Sequence, residues 1–249
     1  LLSMTMAMLG FAHAWNERRA YWSYIGFAGL GIGLLAKGPI ILILMGLAIF
    51  PWLIINFGLI EGIKQLFKRV RVFSGLLLML TIALPWYILA EQATPGFLNY
   101  FLVGEHFLRF VQSGWEGDLY GTAHSEPRGI IWIYWLLAAF PWSFYFLGSL
   151  FFKVNRIELS IGNLSFPLKS YLIFWLISPM ILFTFSGNIL PIYVLPGLPA
   201  LALLVSIFSN GITRMMLVTS LITPLVISGF LYWERLFSFL RLLSWVYMA

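Results

Sequence analysis

IILILMGLAIFPWLIINF, residues 40–57, carries no charged side chain along its whole length. A helix that crosses a bilayer needs about 20 predominantly apolar residues, so this stretch is predicted to span a membrane. The residues after it differ in kind. In GLIEGIKQLFKRVRV, residues 58–72, Leu59, Ile60, Ile63, Leu66, Phe67 and Val70 recur at helical spacing, while Lys64, Lys68, Arg69 and Arg71 lie off that stripe. Such a pattern predicts an amphipathic helix lying on an anionic membrane surface.

Working outward, further apolar runs are predicted as helices at residues 1–15, 21–36, 73–90, 129–152, 170–185, 191–209 and 212–233. Residues 234–249 fit either an interfacial helix or the start of another span. The run at 73–90 is expected to be interrupted near its end by Pro85-Trp86, and Pro141-Trp142 is expected to mark a second interfacial kink. Small residues crowd the second run, where Gly29 and Gly33 form the GxxxG spacing that lets helices approach closely. Of the 249 residues, 61% are hydrophobic and 10% charged, against about a quarter charged in a soluble domain. The predicted fold is therefore all-α: a polytopic transmembrane helical bundle of about eight helices, forming a single membrane domain over residues 1–249.

The net charge of +6 does not imply a nucleic-acid partner, because the basic residues fall in the connectors between apolar runs. The chain has no cysteine, which excludes disulfides and thiolate metal sites. It opens at Leu1 inside an apolar run, with no basic leader, and is expected to be the later part of a longer protein.

Charge also predicts orientation, since Arg and Lys accumulate in cytoplasmic loops. Alternate connectors hold Arg18, Arg19, Lys64, Lys68, Arg69, Arg71, Lys153, Arg156, Lys169 and Arg214, against Lys37, Arg109 and Arg128 in the others. This bias of ten against three puts the amphipathic helix 58–72 in the cytoplasm. Lys37, the loop 91–128 and the turn 186–190 then share the external side.

The candidate chemistry lies on that side. Lys37 is read as the start of a helix, with Pro39 in its first turn. A helix N-terminus and a lysine together suit an anion; a snorkelling lysine that marks the helix end explains it equally. Glu105 and Arg109 lie one helical turn apart and can pair. His106 and Arg109 share a face, which suits metal ligation or phosphate contact, or a plain surface ion pair beside a solvated histidine. Glu91, Glu116, Asp118, His124 and Glu126 are weaker candidates, whose spacing matches no fixed metal motif. Tyr193 fits an aromatic belt. His13, near the cytoplasmic end of its helix, is read as a residue without chemistry.

Four segments, in order, carry a resemblance. Leu35-Ala36-Lys37-Gly38-Pro39 is one. Tyr100-Phe101 followed by Glu105-His106-x-x-Arg109-Phe110 is the second. His124-x-x-Pro127, with Tyr134 and Phe140-Pro141-Trp142, is the third, and Ser186-Gly187-Asn188-Ile189-Leu190-Pro191-x-Tyr193-x-Leu195-Pro196-x-x-Pro199-Ala200 is the fourth. They resemble bacterial inner-membrane glycosyltransferases of the GT-C class, the dolichyl-phosphate-mannose-protein mannosyltransferase-like and aminoarabinose-transferase-like group. The resemblance implies a transferase that takes a sugar from a polyprenyl-phosphate donor and passes it to a lipid, glycan or protein acceptor on the extracytoplasmic face, among membrane lipids. Lys37, Arg109 and Tyr193 would serve the donor phosphate. Glu105, His106 and His124 would lie near substrate or metal, with His106 able to ligate a divalent metal ion. The family's acidic catalytic residues would precede Leu1, so residues 1–249 alone are expected to be inactive. Asn188-Ile189 stands where many members of the group carry a lysine. Another polyprenyl-carrier enzyme, such as a glycan ligase or polymerase, or a transporter or flippase, is the alternative; mid-helix charge, which a transporter would need, is essentially absent.

Overall fold

A computed structural model of the chain describes residues 1–112, 114–115, 117, 125–151 and 167–208. Among these, all regular structure is helical. The chain runs α1 (Leu2–Glu17), α2 (Ala20–Lys37), α3 (Ile40–Phe57), α4 (Leu59–Arg69) and α5 (Val72–Ala93). A π-helical segment, Asn99–Leu108, passes into a single turn, α6 (Arg109–Val111). Then come α7 (Ile131–Ala138), α8 (Trp142–Phe151), α9 (Leu168–Thr184), a 3-10 segment (Pro191–Gly197) and α10 (Leu198–Phe208). Helices α3 and α5 are long and apolar enough to cross a membrane by themselves, and Leu168–Thr184 is a shorter apolar helix. The helices expected at 212–233 and 234–249, and most of the connector 153–169, lie outside the described residues.

Helix α2 sits among α1, α3 and α5, and its small residues explain how. A Cβ on Gly29 would stand 2.8 Å from the Ala7 backbone N of α1, and one on Gly10 would stand 2.6 Å from the Gly26 N. These two helices therefore touch backbone to backbone. Gly31 gives the same close approach to Met79 and Ile82 of α5, and Gly33 to Ile41 of α3. The GxxxG pair thus serves two different neighbours. A second seam is aromatic. Trp52 of α3 meets Trp15 of α1 and Tyr171 of α9 edge-on, at ring-centroid distances of 4.8 and 5.2 Å. Two of the three rings place their polar tips on backbone acceptors: Tyr171 Oη donates to Met8 O (2.7 Å) and Trp52 Nε1 to Pro167 O (3.3 Å), while the buried Trp15 Nε1 has no partner among the described residues.

These contacts divide the bundle into two ends. The C-terminal end of α3 meets the start of α9, through Trp52 to Pro167 and Ser170 to Asn56, so the two helices are antiparallel. One end holds the α1–α2 turn, α4, the start of α5 and the start of α9. The other holds Lys37, the π segment, residues 125–130 and the turn 186–190, joined by His106 to Lys37 and by Glu126 N to Gly187 O at 2.9 Å. Among the described residues, Arg18, Arg19, the basic residues of α4 and Lys169 fall at the first end, and Lys37, Arg109 and Arg128 at the second.

The prolines behave differently from expectation. Helix α5 is continuous through Pro85 to Ala93, with no interruption. Proline removes one N–H, and a membrane helix tolerates that loss; Pro51 and Pro179 also sit inside helices. Pro141 does more than kink. It divides the single helix expected at 129–152 into α7 and α8, and across the break Ser143 Oγ donates to Leu136 O at 2.8 Å. The helix expected to start at Pro191 opens as a 3-10 segment, where neither Pro191 nor Pro196 can donate.

Candidate functional site

The geometry starts at the end of α2. Lys37 is that helix's last residue, not the first of the next. Gly38 adopts φ 67° and ψ −158°, which ends the helix, and Pro39 caps α3, which begins at Ile40. The lysine cation therefore complements the carbonyl end of α2. Those carbonyls are capped from other elements. Leu34 O accepts Gly38 N (2.9 Å) and the Tyr87 hydroxyl of α5 (2.7 Å), and Lys37 O lies 2.9 Å from His106 Nε2. The Lys37 side chain is exposed.

Gly38 is needed here for two reasons. Its positive φ disfavours any residue with a Cβ. A Cβ would also stand 2.5 Å from His106 Nε2 and 2.9 Å from Phe101 Cε1. The Lys-Gly-Pro junction is thus the surface onto which the π segment docks.

The π segment has its own internal logic. A π turn brings residues five apart together, and two such pairs occur side by side. Tyr100 Oη donates to Glu105 Oε1 at 2.6 Å, and His106 Nδ1 lies 2.6 Å from Phe101 O. Glu105 Oε2 also accepts Arg109 Nη1 at 2.7 Å, the pair expected from the sequence. Both partners are about four-fifths shielded, so the carboxylate fixes the guanidinium in a partly dry setting. Glu91, near the end of α5, starts the segment: its carboxylate accepts Gly96 N (2.9 Å) and Leu98 N (2.7 Å). Trp86 and Tyr87 of α5 pack against Phe97 and Phe101, and Phe97 stacks on Phe101 at 5.4 Å.

Both ring nitrogens of His106 face carbonyl oxygens, those of Phe101 and Lys37. A neutral imidazole can donate to one of them, the imidazolium to both. A metal would need one of these nitrogens as a lone-pair donor, and both positions are taken. In this arrangement His106 bridges two backbones and does not fit the expected metal ligand. Among the described residues, no three His, Asp or Glu side chains gather as a metal site. His124, Glu116 and Asp118 lie outside the described residues.

Tyr193 belongs to the second patch at this end of the bundle. It lies on the 3-10 segment, bonds through its N–H to Leu190 O (3.0 Å) and packs its ring on Phe183 at 4.6 Å. The neighbouring turn is packed inward, with Ser186, Asn188 and Ile189 all buried. Position 189 in particular aims its side chain at the core. Glu126 ties residues 125–130 to this patch through its N–H, which donates to Gly187 O. The sequence-predicted residues are thus placed as follows. Lys37, Glu105, His106 and Arg109 come together through one set of contacts, and Tyr193 is held with α9 and the 186–190 turn. His13, at the opposite end, pairs with Glu17 and stacks on Trp22, a structural role.

Sequence reasoning missed Tyr87, held Glu91 only as a weaker candidate, and gave Gly38, Tyr100 and Phe101 no role in organising the site. The signal for two of them was present: Tyr100-Phe101 and Glu105-His106 are adjacent pairs repeated at a spacing of five.

No family model matches the chain. Two curated proteins, each named undecaprenyl phosphate-alpha-4-amino-4-deoxy-L-arabinose arabinosyl transferase, are similar to it. The one from Erwinia tasmaniensis is 30% identical over 190 residues, covering 74% of this chain and 30% of that protein. The one from Yersinia pestis (strain Pestoides F) is 28% identical over 219 residues, covering 84% and 35%. The chain therefore spans about a third of the length of the curated relatives it matches. Its fold is similar to the crystal structure of ArnT from Cupriavidus metallidurans bound to undecaprenyl phosphate, with a TM-score of 0.65 and 21% identity over 92% of this chain and 40% of that one. With an all-helical fold of that type, and with relatives of one name matching most of its length, the chain belongs to the aminoarabinose-transferase-like group of GT-C glycosyltransferases.

Proposed function

We propose that the complete protein is a multi-pass membrane glycosyltransferase that takes a sugar from a polyprenyl-phosphate donor and passes it to a lipid, glycan or protein acceptor. The residues described above would form part of its donor-phosphate pocket. The observation that carries this reading is the His106 contact, which ties the Lys37 junction to the Glu105–Arg109 cluster at one end of the bundle. The charge bias supports an extracytoplasmic position for that end. The relatives' names support an undecaprenyl-phosphate-linked aminopentose as the donor.

The chemistry follows from the leaving group. As the bond between the sugar's anomeric carbon and the phosphate oxygen breaks, negative charge grows on the phosphate. A preorganised cation aimed at that oxygen stabilises the transition state. Lys37 supplies a compact charge on an exposed side chain, and Arg109 a planar donor set oriented by Glu105. Tyr193 lines the lipid-phosphate cavity in this reading, and His124 stays a substrate-proximal candidate on the strength of the resemblance. Glu105 and His106 are positioning residues: one orients Arg109, and the other joins Lys37's backbone to the π segment. The base that activates the acceptor is assigned to the part of the protein outside these residues.

The test is Lys37→Ala in the complete protein, reconstituted with a polyprenyl-phosphate sugar. Turnover is expected to fall by about 10²–10³-fold, the range for losing one such electrostatic contact, with the amount of folded protein in the membrane unchanged. Wild-type turnover would contradict the phosphate role.

A further inference from the structure

The opposite end of the bundle carries a second concentration of charge that the transferase chemistry does not use. The corner where α1, α2 and α4 meet carries Arg18, Arg19, Lys64, Lys68, Arg69 and Arg71, against two carboxylates, Glu17 and Glu61. Both carboxylates are occupied. Glu17 accepts Trp22 Nε1 and pairs with His13, at 2.8 Å each, and Glu61 accepts Gln65 Nε2 at 2.7 Å. Arg69 is built into the corner. Its Nη1 donates to Trp15 O (3.0 Å), its Nε donates to Gln65 Oε1 (3.0 Å), and its guanidinium lies over the Trp15 ring. Packing desolvates this fixed cation, and the Arg18 charge beside it lowers its proton affinity further. The side chains of Arg18, Arg19, Lys64, Lys68 and Arg71 are exposed and, among the described residues, form no hydrogen bond or ion pair.

Next to this charge lies an apolar face. Gly62 and Leu66 turn α4 toward the body of the protein, Gly62 against Leu53 O. Leu59, Ile60, Ile63 and Phe67 occupy an adjacent arc of about 100° and are all exposed, Ile60 at 70%. Phe73 continues the face at 80% exposure and packs on Phe67. Lys64 and Lys68 border it, placed to lay their alkyl stems along an apolar layer with their ammonium groups at its surface.

We infer that this corner is a binding surface for anionic phospholipid, with the headgroup phosphate held among Arg18, Arg19, Lys68 and Arg71 and the acyl chains beneath Leu59, Ile60, Ile63 and Phe67. Charge complementarity selects the ligand. An anion offsets the excess of exposed positive charge at this corner, and a lipid also covers the apolar arc, which a soluble anion leaves in water. This surface is distinct from the proposed donor site at the other end.

The test uses the complete protein in detergent, with its melting temperature read after adding phosphatidylglycerol, phosphatidylcholine or inorganic phosphate. Phosphatidylglycerol is expected to raise Tm by about 3 °C over phosphatidylcholine, and inorganic phosphate to have no effect. The combined substitutions Lys64→Gln, Lys68→Gln and Arg71→Gln, all exposed, should remove the difference while leaving Tm in phosphatidylcholine at the wild-type value. Lys37→Ala should keep the difference, which separates this surface from the donor site. Equal Tm in the two lipids, a shift reproduced by inorganic phosphate, or a shift kept by the triple variant would each overturn the proposal. If the triple variant melts lower in phosphatidylcholine, native mass spectrometry of phosphatidylglycerol retained by Arg18→Gln decides, with wild-type retention overturning it.

Discussion

At the scale of single residues, Gly38 decides where the site forms. The sequence made Lys37 legible as a basic residue on the side that otherwise has few, and made Glu105–Arg109 legible as a pair one turn apart. It was read wrongly at the junction itself. A glycine followed by a proline is a helix stop, so Lys37 ends α2, and its charge faces the carbonyl end of a helix. Adding a methyl group at Gly38 should therefore act twice, through a φ of 67° and through contact with His106. Gly38→Ala is expected to cost roughly 1–3 kcal/mol from the backbone alone and to lower turnover by displacing the π segment from Lys37. Thermal unfolding and turnover of the complete protein check this; a variant with wild-type values of both would show that the close approach is unimportant.

At the scale of elements, apolar runs located the helices but not their type. The π segment escaped because its residues are compatible with an α-helix; what selects the wider turn is tertiary. Glu91 holds its first N–H groups, Phe97 and Phe101 pack on Trp86 and Tyr87, and Gly38 leaves room for His106. The prolines teach the same lesson. Pro85 and Pro141 precede tryptophan alike, yet one stays inside a helix and the other separates two. Neighbouring helices, not the dipeptide, decide the outcome. If Glu91 starts the π segment, Glu91→Ala should speed amide hydrogen exchange at Gly96 and Leu98 by about tenfold, the loss of one hydrogen bond of about 1.4 kcal/mol. Exchange at the wild-type rate would remove Glu91 from that role.

At the scale of the whole molecule, the alternation of charge was the most informative property of the sequence. It grouped Lys37, the 91–128 loop and the 186–190 turn, and among the described residues the fold brings Lys37, the π segment, residues 125–130 and that turn to one end. What it could not show is how the two patches at that end are built, because the contacts from His106 to Lys37 and from Glu126 to Gly187 join residues far apart in the chain. In the proposed function, Lys37 and the Glu105–Arg109 cluster face one extracytoplasmic cavity. Because the chain has no cysteine, single cysteines at Lys37, Gln112 and Arg19 in an otherwise cysteine-free complete protein can be probed with a membrane-impermeant maleimide on intact cells. Lys37→Cys and Gln112→Cys are predicted to label, and Arg19→Cys only after permeabilisation. Labelling at 112 with 37 protected until the membrane is opened would contradict the claim.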